Sequence, residues 1–123
     1  MIFNSIGNEM KNEIEINGEI YGAGMAKIIL TFESMGYEIL TICKDNANGP
    51  DMHVRKGNVV LRVEIKKARQ SNRSMAVHPI EHSRKNDDLV AVYFPSGYVF
   101  IEPMQDYLMN CSDSGSRSFF GIY

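Results

Sequence analysis

Cysteine is scarce in this chain of 123 residues: Cys43 and Cys111 stand far apart, and neither belongs to a CxxC or CxxH pattern. A disulfide framework and a zinc ribbon are both excluded as organising principles. The pair is most simply two free thiols in a reducing compartment, so a cytoplasmic location is expected. His53, His78 and His82 do not combine with the cysteines at a zinc-ligand spacing, and His78 and His82, four apart, straddle an expected helix start. Long apolar runs are missing as well. None approaches the roughly 20 residues that cross a bilayer. The N-terminal MIFNSIGNEMKNE has neither the basic nor the apolar segment of a signal peptide. No membrane role is expected. Repeats and linkers are absent too, and the length suits one domain, residues 1–123, with a real core.

Charge is present but unevenly spread. The formal net charge is −2, which by itself argues against a nucleic-acid partner. Yet nine of the 13 basic residues fall between positions 52 and 86: Arg55, Lys56, Arg62, Lys66, Lys67, Arg69, Arg73, Arg84 and Lys85. Only Glu64 and Glu81 oppose them there. Such a run is either a solvated surface or a place where phosphates are held.

The same stretch carries the chemistry. GPDMHVRKGNVVLRVEIKKAR, residues 49–69, holds two strand-like runs joined by Gly57-Asn58, a two-residue hairpin signal. With that turn, Asp51 lies opposite Glu64, and Lys66 points to the same face. The alternation checks the register: Met52, Val54, Val59, Leu61, Val63 and Ile65 make one apolar face, whereas Asp51, His53, Arg55, Val60, Arg62, Glu64 and Lys66 share the other. A one-residue slip would mix the sets. Opposed carboxylates repel by roughly 0.2–1 kcal/mol and call for a cation. Lys66 could serve in a surface salt-bridge cluster. A divalent ion is the stronger explanation, since Mg²⁺ is typically held by one or two carboxylates plus waters and phosphate.

Along the rest of the chain, residues 1–17 read as an irregular or short-strand lead-in. Tyr21, Met25, Ile28, Ile29, Phe32 and Met35 fall at helical spacing and predict a helix from about Glu19 to Met35, stopped by Gly36. Tyr37–Cys43 reads as a strand and Lys44–Pro50 as a polar loop. Beyond the hairpin, residues 68–77 read as a basic loop in which Gln70, Ser71 and Ser74 either meet phosphate or are merely solvated. A short helix is expected from near Pro79 to before Asp87. Leu89–Phe94 is apolar throughout, as a strand covered on both faces would be. Tyr93 and Phe94 are therefore core residues. Tyr98–Glu102 is another strand, Met104–Asn110 a short helix, and the tail is a loose end unless Phe119, Phe120 and Tyr123 dock on a partner subunit. This order implies an α/β sandwich with a mixed central sheet flanked by helices.

Pro50-Asp51 followed by Glu64-Ile65-Lys66 at the end of a hairpin, with a helix and a strand before it, resembles the PD-(D/E)XK nuclease superfamily. The layout is closest to small single-domain members such as archaeal Holliday junction resolvases and small phage and homing endonucleases. The resemblance covers roughly residues 19–102. It implies a restriction-endonuclease-like fold, a homodimer, and a Mg²⁺-dependent DNA endonuclease, with Mn²⁺ able to substitute and branched DNA a candidate substrate. Asp51, Glu64 and the carbonyl of Ile65 would hold the ion, and Lys66 would act on the attacking water and the phosphate. Arg55, Arg62, Lys67, Arg69, Gln70, Arg73, Arg84 and Lys85 would bind DNA. His53 shares the site face and either touches a phosphate or is a neutral surface histidine. One position departs: where relatives carry a glutamate on the first helix, counting back from Gly36 reaches Met25, which is expected to sit against the metal site. That departure keeps a non-catalytic nuclease-fold protein, binding nucleic acid or a protein partner, as the alternative.

Overall fold

The computed structural model describes residues 2–5, 13–16, 18–43 and 49–121. The elements, in order, are β1 (Ile2–Ser5), β2 (Ile14–Ile16), β3 (Glu19–Tyr21), α1 (Ala23–Ser34), β4 (Glu38–Ile42), β5 (Met52–Lys56), β6 (Val59–Lys67), β7 (Arg69–Ser71), β8 (Ser74–Val77), a single 3-10 turn (His82–Arg84), β9 (Leu89–Tyr93), β10 (Tyr98–Pro103), α2 (Met104–Met109) and β11 (Arg117–Phe119). Six strands form one sheet in the order β1-β10-β9-β6-β5-β4. Its neighbours are antiparallel except β6 and β9, which run parallel, so the sheet is mixed as expected.

Each face of the sheet carries its own core. On one side Ile28, Ile29 and Phe32 of α1 are fully buried against Met52, Val54, Val63, Ala91, Val99 and Ile101. Burial of each such α1 side chain contributes about 1.5–3 kcal/mol. On the other side Val90, Val92 and Phe100 meet Met104 and Tyr107 of α2, together with Met75, Val77 and Phe119. β9 feeds both cores, Ala91 to one and Val90 and Val92 to the other, which accounts for its unbroken apolar sequence.

The end of α1 is held by a double turn of hydrogen bonds. Gly36 N–H donates to Glu33 O at 3.0 Å and Tyr37 N–H to Phe32 O at 3.0 Å, with Gly36 at φ +88°. The rings of Phe32 and Tyr37 then meet edge to face at 5.5 Å, the apolar contact that accompanies this cap. Near the start, Gly24 lies against Tyr93 of β9. A Cβ there would come within 2.9 Å of the ring, so only glycine lets α1 approach the sheet this closely.

Several expectations are corrected. The helix starts at Ala23, not Glu19: Gly22 is extended and forms the N-cap, and Glu19–Tyr21 pairs instead with Ile14–Ile16 across Gly18 at φ +82°. The 1–17 lead-in contributes a sheet-edge strand, β1, on β10, although residues 6–12 lie outside the described residues. Most of the 44–50 loop lies outside them too. Residues 68–77 are not a loop but a hairpin, β7–β8, because Met75 and Val77 have a core to enter. The helix expected after Pro79 shrinks to the turn His82–Arg84, which has no side-chain cap and buries no residue. The tail is anchored within its own chain: β11 pairs with β8, Phe119 is buried and Phe120 is exposed, while Tyr123 lies outside the described residues.

Candidate functional site

The hairpin register is the one that the alternation requires. Met52 pairs with Val63, Val54 with Leu61 and Lys56 with Val59, across Gly57 at φ +61°. Asp51 sits one residue before β5. Its carbonyl accepts the Cys43 N–H at 2.8 Å, and its Oδ2 accepts the Ile65 N–H at 2.8 Å, so the carboxylate takes the place of the next ladder rung. In an extended strand the N–H and C=O of one residue project to the same edge. The Ile65 carbonyl therefore faces the edge where Asp51 sits.

Glu64, next to Ile65, is only 6% exposed. Its carboxyl is pushed up to about 8, first by burial and then by the Asp51 carboxylate beside it. Lys66 draws it down in part, without forming an ion pair with either carboxylate among the described residues. The Lys66 Nζ instead lies 3.5 Å from the Pro79 carbonyl. The salt-bridge-cluster reading thus lacks its central contact. A half-buried and a buried carboxyl side by side are a donor set that suits a hard divalent ion. Among the described residues no group of three or more His, Cys, Asp or Glu side chains is placed to hold a metal jointly.

Met25 is half-buried and packs on the α1 side of the sheet with Ile28, Ile65 and Tyr93. It lines a cleft of about 380 Å³ together with Gly24, Ile28, Ile65, Lys66, Lys67 and Tyr93. It shares a wall with Lys66, whereas strand alternation turns Glu64 to the opposite face from Ile65.

The basic residues divide into two sets. Arg55 pairs with Glu38, its Nε at 3.1 Å from Oε2. Arg62 donates to Asp88 at 3.3 Å and to the Asn86 carbonyl at 2.6 Å. Its guanidinium is held further up by the Asp88 hydrogen bond and charge. Burial pushes Asp88 up, but hydrogen bonds from the Arg62 backbone and side chain outweigh it and bring it below the usual carboxylate range. Lys67, Arg69, Gln70 and Arg73, by contrast, follow Lys66 on exposed β-structure. Gln70 bonds the Asn72 carbonyl at 3.0 Å and Ser74 the Ser71 carbonyl at 3.2 Å, which stiffens this small ribbon. Arg84 is half-buried and Lys85 exposed, on the segment leading to β9. His53 meets Thr41 Oγ1 at 2.7 Å.

Among solved structures, the fold is similar to that of a homing endonuclease. The bacterial homing endonuclease I-Ssp6803I superposes with a TM-score of 0.66 over 81% of this chain and 72% of its own, at 14% sequence identity. That similarity is one of architecture. No protein-family model matches the chain, and no curated protein does.

Sequence reasoning missed one acidic residue beside the site. Asp87 is 7% exposed, and its Oδ2 has no hydrogen-bond partner. Burial raises it, Arg62 and Arg84 draw it back, and the charges of Asp51 and Asp88 raise it again. In the sequence, Asp87-Asp88 before a strand resembles any polar turn.

Proposed function

We propose that this chain is a Mg²⁺-dependent DNA endonuclease, accepting Mn²⁺ in place of Mg²⁺, that works as a cytoplasmic homodimer and hydrolyses phosphodiester bonds. The observation that carries the reading is the facing pair of Asp51, half-buried, and Glu64, buried, with no Lys or Arg in ion-pair contact with either among the described residues. As two ions the pair would oppose folding, which is why the Glu64 carboxyl is held up to about 8 when no ion is bound.

In this reading Asp51, Glu64 and the Ile65 carbonyl hold the ion. When bound, the ion lowers the pKa of a coordinated water and polarises a phosphoryl oxygen. Asp51 is fixed for the task by its bond from the Ile65 N–H. Lys66, free of an ion pair, places its ammonium beside the reacting phosphate and stabilises the charge that develops there. Lys67, Arg69, Gln70 and Arg73 track the backbone of the duplex, and Arg84 and Lys85 extend that surface. Arg55 and Arg62 contribute through field rather than contact, since their guanidinium groups are engaged with Glu38 and Asp88.

The alternative, a non-catalytic nuclease-fold protein that binds nucleic acid or a protein, draws on the lack of a three-ligand group among the described residues and on Met25. One experiment separates them: incubation of the protein with duplex, single-stranded and branched DNA, with and without Mg²⁺ or Mn²⁺. Ion-dependent cutting that Lys66→Met abolishes, while ion and DNA affinity persist, is the expected result. Binding without cutting under every condition identifies the alternative.

A further inference from the structure

The least accounted-for group in the molecule is Asp87. A carboxylate that is 7% exposed and has an oxygen without a hydrogen bond is costly to keep in a fold. Its surroundings are nevertheless built with care. The Asp87 N–H donates to Arg84 O at 3.0 Å. Next to it, the Asp88 N–H donates to Arg62 O at 2.9 Å, Asp88 Oδ2 accepts the Arg62 N–H at 2.8 Å, and Asp88 O accepts the Met104 N–H at 2.9 Å. Asp87 is thus locked beside β6, two residues before the Leu89–Val63 pair. It is near enough to Asp51 and Glu64 for their charges to be felt. Its cationic neighbours do not hydrogen-bond that oxygen: Arg62 is spent on Asp88 and the Asn86 carbonyl, and Arg84 acts on Asp87 through its charge.

We propose that Asp87 is a positioning residue of the metal centre, accepting a hydrogen bond from a water on the ion held by Asp51 and Glu64. The assignment rests on the metal-site reading above. The chemistry is specific. Mg²⁺ keeps several of its waters when bound by few carboxylates, and those waters are strong donors in want of acceptors. An ionised carboxylate is an acceptor only. Asp87 does not form a joint three-carboxylate group with Asp51 and Glu64, so its part is to act through a water and not as a ligand. Partners of this kind change ion affinity or activity about 10–100-fold when removed.

The test uses Mn²⁺ alone as the probe, with the full chain. Asp87→Asn and Asp87→Ser are compared with wild type by calorimetric titration and by water-proton relaxation of bound Mn²⁺. Asp88→Asn, which removes the same charge one residue along, is the control. The expected result is Mn²⁺ affinity about 10–100-fold weaker in the Asp87 variants, with altered relaxation of the bound waters and a melting temperature no lower than wild type. Asp88→Asn should lower the melting temperature while affinity stays near wild type. Wild-type affinity in either folded Asp87 variant, or an equal loss in Asp88→Asn, overturns the assignment and leaves the Asp51–Glu64 site standing. A folded wild-type protein that binds no Mn²⁺ at millimolar concentration overturns both.

Discussion

Among the described residues Glu64 and Glu102 are the two deeply buried glutamates, 6% and 4% exposed, and the protein treats them in opposite ways. Glu102, on β10, meets Arg117 of β11 at 3.1 Å. That guanidinium also donates to the Tyr107 carbonyl at 3.1 Å and lies over the rings of Phe100, Tyr107 and Phe119, 5.0–5.6 Å from their centres. Every charge there has a partner, and the result ties the C-terminal strand to the main sheet. Glu64 has Asp51 for its nearest companion and no cation in contact. A fold selected only for stability would not assemble the second arrangement, and this protein has shown at Glu102 that it can build the first. Under the proposed function, the contrast separates a glutamate that holds structure from one that binds an ion.

The largest expected effect tests the Glu64 side. Asp51→Ala and Glu64→Gln should each abolish divalent-ion binding and reduce cleavage by about a thousandfold or more, while the fold persists. Calorimetric titration of Mn²⁺ and a plasmid-nicking assay read the two consequences, and unchanged ion affinity in both variants removes the metal site.

On the Glu102 side, Arg117→Met should destabilise the protein by about 3–5 kcal/mol, because it strands a buried carboxylate. A denaturant melt measures the loss. Adding Glu102→Gln should recover much of it, and failure to recover would show that the rings, not the ion pair, hold Arg117.

A smaller effect follows from pH. The folded-state pKa of Glu64 is raised to about 8 from its ordinary 4.5. Between those values the folded state binds a proton that the unfolded state has released, so the metal-free protein loses stability as pH rises through that window. The loss should be on the order of a few kcal/mol and be complete above about pH 8. Thermal melts at pH 5, 7 and 9 check it: Glu64→Gln should flatten this dependence, and saturating Mg²⁺ should oppose it. Stability that instead climbs over the same range contradicts the uncompensated pair.

The smallest effect concerns the ribbon. Arg69→Ala and Arg73→Ala should each weaken DNA binding and lower the salt-dependence slope by about one unit, with ion affinity unchanged. Titrations at several salt concentrations decide. An unaltered slope would move the DNA surface elsewhere.

The part of this contrast that concerns Glu64 was legible in the sequence, because the site lies on a local hairpin. Gly57-Asn58 sets the turn, and alternation of Met52 and Val54 against Asp51 and His53 fixes the faces, so sixteen residues from Asp51 to Lys66 suffice. The part that concerns Glu102 was not. Arg117 reaches it from a three-residue strand, and that strand's partner β8 lies some forty positions upstream, so no periodicity connects them. The same holds for β7, whose three residues are all exposed and leave no hydrophobic pattern. The helix boundary failed for another reason. Tyr21 and Met25 keep helical spacing straight through Gly22, whereas the backbone turns extended there. Asp87 escaped because nothing in the polar run Asn86-Asp87-Asp88 marks which of its residues is buried.

The passage from β6 to β7 carries one more implication. Ala68, between the two strands, keeps its N–H on the Tyr93 carbonyl at 2.9 Å, so the chain leaves the large sheet for the small one without coiling. Lys66 and Arg69 are therefore separated by a stiff span of about 10 Å, at roughly 3.3 Å per extended residue. Such a span acts as a ruler. If Arg69 grips one phosphate and Lys66 acts at another, the offset between gripping and cutting is set by covalent geometry and not by a flexible arm. Lengthening the span by one residue would turn Arg69 to the other side of the strand, so the spacing can be kept or lost but not finely adjusted.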